Sequence, residues 1–499
     1  MNLATIIDPH PADAVAYISR GVATTYGELR RHVGGLAGGL AALGLEPGER
    51  LAVLCANNGF FVTSYLAGLA AGLVVVPLNP ASPAAELGEA LALVGAAAVV
   101  VGPSARASFA EVDRRALPAL REVIACGESS APHRSFAEVA AAPPMATIER
   151  AADDLAVLMF TSGTAGTPRA AMLTHGNLLA NLGAANRPAD EVGIDRAADV
   201  VFGVLPLHHI FGLNVALGAT LRAGASIVLI ERFDPTSAVE TVQSRGVTVL
   251  AGPPTMWAAL AGLGSVPPEA FGSVRVAVSG AAPLAPATRD AVRERLGLDL
   301  DEGYGLTEAA PTVTTTVGSP PRAGSVGRPP PGVTVRLVDE DGRDVEPGDP
   351  GEIWVSGPSV FVGYWDDPAA TAEVLTADGW LRTGDLAMAD DDGYLYLVDR
   401  IKDLVIVSGF NVSPAEVENA LLRHPGVARA AVIGVEHPHT GEALKAFVVV
   451  EPASALEEDE LIAFCATRLA RYKCPRKVQF VDELPEGSTG KVLRRELRG

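Results

Sequence analysis

A run of small and hydroxyl-bearing residues at positions 161–170, with the sequence TSGTAGTPRA, is the first stretch of the chain suited to binding chemistry. It follows the apolar run 155–160, which predicts a buried strand, and it precedes a helix body at 177–181. We therefore expect a loop between a strand end and a helix start, whose backbone N–H groups and single cation suit the oxygens of a polyphosphate. The loop lacks the Walker A signature, and a Gly/Thr-rich surface turn is the alternative interpretation.

Two further motifs each follow a predicted strand end. They are SGAAP at 279–283 and EGYGLTE at 302–308. In a doubly wound sheet both loops fall at the carboxyl edge, where ligands bind. A flat apolar loop facing Tyr304 suits a purine, and the Glu308 carboxylate beside phosphates suits Mg²⁺. An ordinary turn capped by Thr307 is the alternative for the second motif.

Two other segments bring polar side chains into loops. Asp385, in RTGDL at 382–386, is predicted to lie in a tight turn, where its carboxylate either binds a vicinal diol or caps the turn. His208 and His209 are adjacent in LPLHHIFG at 205–212. We do not favour a metal site there, because neighbouring residues on one element rarely converge on one ion.

The elements that must position these motifs alternate between helix and short apolar strand. This alternation predicts an α/β fold with mainly parallel, doubly wound sheets. The predicted strands on either side of the 161–170 loop are 50–56, 74–78, 97–101, 200–205, 226–230, 247–251 and 274–278. Gly/Pro turns around GEIWV at 351–355 predict a small β-structured part that closes the large domain.

The pattern of predicted strands and helices changes again near residue 400. Strand patterns at 404–407, 430–435 and 446–450 mix with helix patterns at 414–422 and 458–469, which predicts a compact α+β domain. We therefore divide the chain into an N-terminal domain, 1–400, and a C-terminal domain, 401–499.

Composition narrows the class of protein. A net charge of −20 over 499 residues disfavours nucleic-acid binding, since phosphate contacts need a cationic surface. No signal peptide is visible, and the longest apolar stretch, 65–78, is too short to span a bilayer. Four cysteines without metal or redox spacing predict a reducing, cytoplasmic setting.

Taken in chain order, these motifs resemble the adenylate-forming superfamily, which includes acyl-CoA synthetases, firefly luciferase and the adenylation domains of peptide synthetases. The resemblance extends from Thr161 to Lys491. The usual phosphate loop of the family is close to TSGTTGxPKG, and this chain departs from it at Ala165, Arg169 and Ala170. Arginine keeps the charge of the usual lysine but not its geometry.

The resemblance implies roles for particular residues. The ATP/AMP-binding residues that it implies are Thr161, Ser162, Gly163, Thr164, Gly166, Thr167, Arg169, Gly280, Ala281, Ala282, Gly303, Tyr304, Gly305, Asp385 and Arg400. The catalytic residues are Lys491, Glu308 (also the Mg²⁺ ligand), Thr307 and His209, with Lys402 as the hinge of a mobile C-terminal domain. The acyl and CoA contacts are His209, Phe211, Gly212, Leu213, Ser408, Gly409 and Phe410.

The implied reaction joins a small carboxylic acid to coenzyme A with ATP and Mg²⁺. The segment 401–418 most resembles bacterial medium- and long-chain fatty acyl-CoA ligases, and an aryl acid such as a cinnamate is the main competitor. Gly212, Gly218 and Ala219 either leave room for an alkyl chain or pack a helix. An enzyme loading a separate carrier protein, a luciferase-like oxygenase and a non-catalytic binding module are further alternatives. The oligomeric state is left open, a homodimer included.

Overall fold

The computed structural model describes most of the chain. The residues outside the described part are 128–132, 162–168, 186–196, 265, 321, 401–404, 408–409, 438–440, 453, 455, 470, 488–491 and 498–499.

Strands and helices alternate along the described residues, as the sequence predicts. The strands are β1 Val15–Ser19, β2 Val22–Thr25, β3 Arg50–Leu54, β4 Val74–Pro77, β5 Ala98–Val101, β6 Glu122–Ala125, β7 Arg134–Ser135, β8 Leu155–Thr161, β9 Arg169–Thr174, β10 Val200–Gly203, β11 Ser226–Leu229, β12 Val249–Gly252, β13 Val276–Ser279, β14 Asp301–Gly305, β15 Thr312–Thr315, β16 Thr334–Val338, β17 Gly351–Ser356, β18 Leu381–Ala389, β19 Leu395–Arg400, β20 Val405–Val407, β21 Phe410–Val412, β22 Val427–His437, β23 Gly441–Val450 and β24 Lys477–Phe480.

The α-helices lie mostly between parallel strands. They are α1 Tyr26–Ala42, α2 Gly59–Ala70, α3 Ala84–Leu93, α4 Arg106–Ala110, α5 Phe136–Ala140, α6 His175–Ala185, α7 Ala219–Ala223, α8 Pro235–Arg245, α9 Pro254–Ala261, α10 Pro286–Leu296, α11 Pro368–Val374, α12 Pro414–Leu421, α13 Glu458–Ala466 and α14 Arg494–Leu497.

Two large sheets form the first part of the chain. The seven-stranded sheet has the order β7-β6-β5-β3-β4-β8-β9, and the eight-stranded sheet has the order β15-β14-β13-β12-β10-β11-β1-β2. Pairing is parallel within both sheets except at β8–β9, β1–β2 and β14–β15. Every residue of β4 and β5 is buried, as expected for strands covered on both faces. The predicted doubly wound α/β architecture is confirmed.

One hydrophobic cluster holds the two large sheets together. It joins side chains of α1 and α2, such as Leu36 and Phe61, to Val157 of the first sheet and Ile227 of the second. The same cluster takes in Ile353 of the third sheet, which is antiparallel with the order β16-β17-β18-β19. This third sheet is the small β-structured part that the sequence predicts.

The C-terminal part has a sheet and a core of its own. Strands β21, β20, β23 and β22 pair in that order, and β24 is added to β23. Val412, Val417, Val432 and Leu461 pack into a separate cluster between this sheet and its helices. The α+β class is therefore confirmed. The boundary at 400/401 stays a prediction, because residues 401–404 lie outside the described part.

The predicted direct connection from strand to helix at 155–177 is wrong. A second strand, β9, intervenes and pairs antiparallel with β8, so that Thr161 lies opposite Arg169. Strands β8 and β9 thus form a hairpin, and in the sequence the whole of β9 lies between the loop and helix α6. The segment RAAMLT of β9 lacks the alternation of apolar and polar residues typical of a half-buried strand, because both of its faces contact hydrophobic clusters, Ala170 one cluster and Ala171 another.

Among the described residues, none of the helices has the length and apolar character needed to cross a lipid bilayer.

A buried histidine ties the N-terminus to helix α6. His175 is fully buried, and its Nδ1 accepts a hydrogen bond of 3.0 Å from the backbone N–H of Leu3. Burial, aided by Arg150, lowers the pKa of His175 from 6.5 to about 4. The folded protein therefore holds this imidazole neutral where an unfolded chain would protonate it.

This pKa shift predicts a loss of stability in mild acid. Between pH 6.5 and about pH 4 the unfolded state binds the additional proton at His175, so stability falls as the pH drops through that window. The full effect of such a shift is about 3 kcal/mol. His175→Asn, whose Oδ1 takes the place of Nδ1 as acceptor for Leu3, should flatten the pH dependence of the urea midpoint between pH 4.5 and 7. His32→Asn, at an exposed position, is the control. Parallel curves for wild type and His175→Asn would contradict the assignment.

Candidate active site

The loops after β10 and β13 meet through a glycine and an aromatic ring. A Cβ atom added to Gly280 would lie 3.1 Å from Cε1 of Phe211, so the ring rests directly on the glycine backbone. The next residue, Ala281, has φ = 70°, a left-handed conformation that is uncommon for alanine and clusters at ligand sites. The structure thus brings the predicted purine loop, which continues to Ala282, against the predicted acyl segment.

The predicted loop position of Gly303, Tyr304 and Gly305 is wrong. These residues lie within β14, because β15 pairs antiparallel with them and extends the strand to Gly305. Thr307 begins a short 3₁₀ turn with Glu308, but its side chain does not cap that turn. Glu308 therefore emerges on a turn directly after the strand that carries Tyr304.

Tyr304 joins the second sheet to the third sheet. Its hydroxyl group donates a hydrogen bond of 2.6 Å to Oδ2 of Asp385, which is only 6% exposed. A carboxylate beside an aromatic ring is the arrangement that the sequence predicts for holding a nucleoside. The two residues are 81 positions apart in the sequence.

The predicted tight turn at Asp385 is also wrong, because this residue lies inside strand β18. A bulge displaces it: Glu352 and Trp354 of β17 face Leu386 and Arg382, so the three residues 383–385 of β18 lie opposite the single residue Ile353. The backbone N–H of Asp385 donates to Oγ1 of Thr383 at 3.1 Å. The bulge therefore projects the carboxylate toward Tyr304, and the backbone of Arg400 lies opposite Asp385 in the next strand.

Glu308 is oriented by Tyr364. The tyrosine hydroxyl donates a hydrogen bond of 2.7 Å to Oε1 of Glu308, and the backbone N–H of Phe361 donates to the Glu308 carbonyl oxygen at 2.8 Å. Burial and the adjacent Glu308 carboxylate raise the pKa of Tyr364 well above its usual range. Tyr364 therefore remains a protonated donor at any physiological pH.

Arg169 lies on the other side of the same tyrosine. Its guanidinium carbon is 5.5 Å from the centre of the Tyr364 ring. Its Nε is 3.5 Å from a carboxylate oxygen of Asp367, and its Nη2 is 4.0 Å from one of Glu373. The side chain is only 22% exposed, so this cation is held in place at the base of the 162–168 loop and is not a freely solvated surface group.

Backbone pairing fixes Tyr364 to the hairpin. Tyr364 forms an antiparallel bridge with Ala171 of β9, and the N–H of Trp365 donates to the carbonyl oxygen of Ala170 at 2.8 Å. Met172 donates to the carbonyl oxygen of Gly363 at 2.9 Å. The segment 362–365 thus acts as an added strand on the free edge of the first sheet, and it carries Tyr364 to Glu308.

Three buried asparagines hold the turn that follows Glu308 and the segment that precedes Phe361. They were not among the residues predicted from the sequence, although an amide within an apolar helical stretch is a usable signal. The contacts are Asn177 Nδ2 to Pro358 O (2.9 Å) and Val360 O (2.8 Å), Asn181 Nδ2 to Ala309 O (3.3 Å) and Thr312 O (3.2 Å), and Asn214 Nδ2 to Leu178 O (3.3 Å) and Ala310 O (2.7 Å).

The acyl segment forms a π-helix. It runs from Phe211 to Gly218, a rare geometry that recurs at functional sites. His209 begins this region: its Nδ1 accepts from the N–H of Phe211 at 3.3 Å, and its carbonyl oxygen accepts from the N–H of Leu213 at 2.8 Å. Leu213 is fully buried.

Gly212 and Gly218 pack against protein atoms. A Cβ atom on Gly212 would lie 2.2 Å from the carbonyl oxygen of Pro206, and one on Gly218 would lie 3.0 Å from Oδ1 of Asn214. Of the two interpretations offered by the sequence, these positions therefore support helix packing over room for an alkyl chain.

The donor set suits a magnesium ion shared with a nucleotide. Among the described residues, no group of three or more His, Cys, Asp or Glu side chains comes together as a metal cage. Mg²⁺ commonly keeps several waters and takes one or two carboxylates plus substrate phosphates. Glu308, whose carboxylate is oriented by a neutral hydroxyl, fits that requirement.

Several predicted residues lie outside the described part. They are Ser162, Gly163, Thr164, Gly166 and Thr167 of the loop, Lys402, Ser408, Gly409 and Lys491. The side chains of Arg400 and Phe410 are outside it as well.

Comparisons with known proteins agree with this geometry. The AMP-binding enzyme family matches residues 5–365, and the AMP-binding enzyme C-terminal domain matches residues 416–491. The chain is 40% identical to a feruloyl-CoA synthase of an Amycolatopsis species over 494 residues, 99% of this chain and 96% of the relative. It is 34% identical to a long-chain-fatty-acid–CoA ligase of Escherichia coli O157:H7 over 522 residues, 98% of this chain and 92% of the relative.

The fold is also similar to that of a solved structure. ATP-bound MatB from Rhodopseudomonas palustris superimposes with a TM-score of 0.91 at 35% sequence identity, covering 100% of this chain and 98% of that one. The agreement in fold therefore extends over the whole chain.

The contact between Tyr304 and Asp385 leads to a test of nucleotide binding. Asp385→Asn removes the charge that would hold ribose hydroxyls, while Oδ1 of the amide still accepts from Tyr304. Because a hydrogen bond to a charged group contributes about 1.5–3 kcal/mol, KM for ATP should rise by roughly 10-fold or more. The variant should also lose the preference for ATP over 2′,3′-dideoxy-ATP in steady-state assays. A preference equal to that of wild type would remove Asp385 from the ribose site.

Proposed function

The chain belongs to the AMP-binding enzyme family, and we propose that it converts an aryl propenoic acid of the hydroxycinnamate class to its CoA thioester. It is an AMP-forming acid–CoA ligase that uses ATP, Mg²⁺ and coenzyme A. The observation that carries the choice of acid is the contact between the Phe211 ring and the backbone of Gly280.

That contact supports a planar acyl group. Phe211 lies at the junction between the purine loop and the His209 segment, and an aromatic face there would stack on an aryl ring. The space beside Gly212 and Gly218, which an alkyl chain would otherwise use, is filled by backbone and side-chain atoms. The 40% identity to a feruloyl-CoA synthase supports the same class of acid.

A fatty acid is the second candidate. The 34% identity to a long-chain-fatty-acid–CoA ligase over nearly the whole chain supports it. Both candidate reactions need the same ATP and CoA chemistry, so they differ in the acyl group that the site must hold. The choice between them therefore requires a direct comparison of acids.

The proposed reaction has two halves. The carboxylate of the acid attacks the α-phosphorus of ATP, pyrophosphate leaves, and an acyl-adenylate forms. The thiol of CoA then attacks the acyl carbon, and AMP leaves as the thioester forms. Charge develops on phosphate oxygens in the first half, so the contribution of the protein is positioning and electrostatic stabilisation.

Each part of the site has a proposed task. Thr161, Arg169 and the loop between them bind phosphates, and Glu308 with Thr307 holds Mg²⁺ and the α-phosphate, the ion supplying positive charge. Tyr304 and Asp385 bind the nucleoside, and His209 faces the acyl carboxylate.

The C-terminal residues are proposed to act in the reaction through a movement of their domain. Lys491 is proposed to bridge the acyl carboxylate and the α-phosphate, and Lys402 is proposed as the hinge between domains 1–400 and 401–499. Ser408, Gly409 and Phe410 are proposed to line the path of the pantetheine arm. We also propose a cytoplasmic setting, in line with four free cysteines, of which three are buried.

A panel of acids tests the proposed substrate class. Ferulate, 4-coumarate and cinnamate should release pyrophosphate with kcat/KM at least about 10-fold above octanoate and palmitate, and thioester should form only when CoA is present. Phe211→Leu keeps an apolar side chain but removes the aromatic face, so it should lower kcat/KM about 2- to 10-fold for the cinnamates and less for the alkyl acids. A preference for palmitate would favour the second candidate. No turnover with any acid would contradict the ligase assignment.

Separate assays of the two halves test the role of Lys491. Loss of one preorganised electrostatic donor costs roughly 10²–10³ in rate, so Lys491→Ala should lose pyrophosphate exchange to that extent. It should still convert supplied acyl-adenylate and CoA to thioester. Lys477→Ala, at an exposed position of β24, is the control. Equal loss of both halves in a folded Lys491→Ala protein would contradict the assignment.

A further inference from the structure

One buried tyrosine contacts both charged groups assigned to the phosphate end of the site. Tyr364 is 7% exposed, its hydroxyl is 2.7 Å from Oε1 of Glu308, and its ring centre is 5.5 Å from the Arg169 guanidinium carbon. A cation and a carboxylate therefore lie on different parts of one side chain.

The position of this ring is fixed from several directions. The backbone of Tyr364 pairs with Ala171, and its N–H donates to Oγ1 of Thr371 at 2.9 Å. The ring of Phe361 packs edge-on against it, with 5.0 Å between ring centres. A side chain held in this way can orient the groups that it touches.

The hydroxyl acts on Glu308 without cancelling its charge. A neutral O–H donor restricts the rotation of the carboxylate and leaves the negative charge available to a cation. A lysine or arginine at the same place would form an ion pair and compete with a metal ion. The chemistry of the contact therefore suits orientation of Glu308 as a ligand.

The Tyr364 ring contacts Arg169 with its face, whereas its hydroxyl contacts Glu308. A guanidinium group stacks on an aromatic face, which an ammonium group does less well, and here Asp367 and Glu373 hold its other side. The direct pairing of Arg169 with Glu308 would neutralise both groups. Tyr364 thus gives a physical reason for arginine at a position where the usual phosphate loop has lysine.

We propose that Tyr364 is a positioning residue for adenylate formation, which orients Glu308 through its hydroxyl and separates Arg169 from Glu308 through its ring. This inference rests on the proposed roles of Glu308 and Arg169. It concerns a residue that acts through others and does not itself touch the reacting atoms.

Tyr364→Phe tests the hydroxyl while the ring remains. Pyrophosphate exchange should fall about 10-fold, and the Mg²⁺ concentration for half-maximal rate should rise several-fold, since a hydrogen bond to a charged group is lost. KM for the acid should not change. As a readout independent of turnover, the Kd for Mn²⁺, measured by electron paramagnetic resonance with α,β-methylene-ATP, should rise by a similar factor.

Tyr364→Leu tests the ring as well. Without it Arg169 is free to approach Glu308, so the Kd for Mn²⁺ should rise further than in Tyr364→Phe. Adding Arg169→Ala to Tyr364→Leu should then recover part of the Mn²⁺ affinity. A Kd that is no weaker than that of Tyr364→Phe, or no recovery in the double variant, would overturn the separating role.

Tyr394 offers a matched control. It is also buried, its hydroxyl donates to the carbonyl oxygen of Pro320 at 3.1 Å, and its ring lies 4.2 Å from the guanidinium carbon of Arg322. Tyr394→Phe should leave the Mg²⁺ and Mn²⁺ dependences as in wild type. The same change in both phenylalanine variants would indicate a general structural effect and overturn the proposal.

A double-mutant cycle connects the tyrosine to its carboxylate. In the Glu308→Gln background, Tyr364→Phe should cause no further loss of Mn²⁺ affinity. Wild-type Mn²⁺ affinity in Tyr364→Phe alone, or an undiminished effect in the Glu308→Gln background, would overturn the inference. Failure of the proposed function is a different result, in which wild-type protein shows no acid-dependent pyrophosphate release while the Mn²⁺ measurements still report on Tyr364.

Discussion

The backbone pairing between β9 and the segment 362–365 is the constraint on which the candidate site depends. Strand β9 would otherwise be a free edge of the seven-stranded sheet, and the pairing satisfies its N–H and C=O groups. It also fixes the direction in which Tyr364 points. The end of the β8–β9 hairpin and the Glu308 turn are thereby placed relative to each other by main-chain geometry, which is more rigid than contacts between long side chains.

The buried asparagines fix the backbone in other parts of the site. A turn pairs only some of its own carbonyl groups, and a buried carbonyl without a donor is costly. Asn181 and Asn214 donate to the carbonyl groups that follow Glu308, and Asn177 donates to those that precede Phe361. Irregular backbone near the site is thus held by helices α6 and Phe211–Gly218, whose own hydrogen bonds are formed internally.

Local sequence patterns predict the central parallel strands of both large sheets, because short apolar runs between helices are typical of buried parallel strands, but they do not predict the outer strands β1, β2, β6, β7 and β15. Local patterns fail where pairing with a segment distant in the sequence determines the backbone structure. β9 is a strand because β8 and residues 362–365 pair with it, and Asp385 leaves the expected turn because β17 fixes the register of a bulge. Tyr364 was missed for the same reason: its contact with Glu308 spans 56 residues, and no local spacing signals it.

The hydrophobic cluster that unites the sheets determines how the molecule unfolds. Helices α1 and α2 bury side chains in a core to which all three N-terminal sheets contribute, so none of these sheets can separate without exposing apolar surface of the others. The C-terminal sheet draws on its own clusters. The chain therefore consists of two cooperative units of unequal size. Because its core is separate, we expect the smaller unit to unfold locally at a lower free energy than the larger one, and in the proposed two-step reaction its movement would leave the core beneath Glu308 and Asp385 intact.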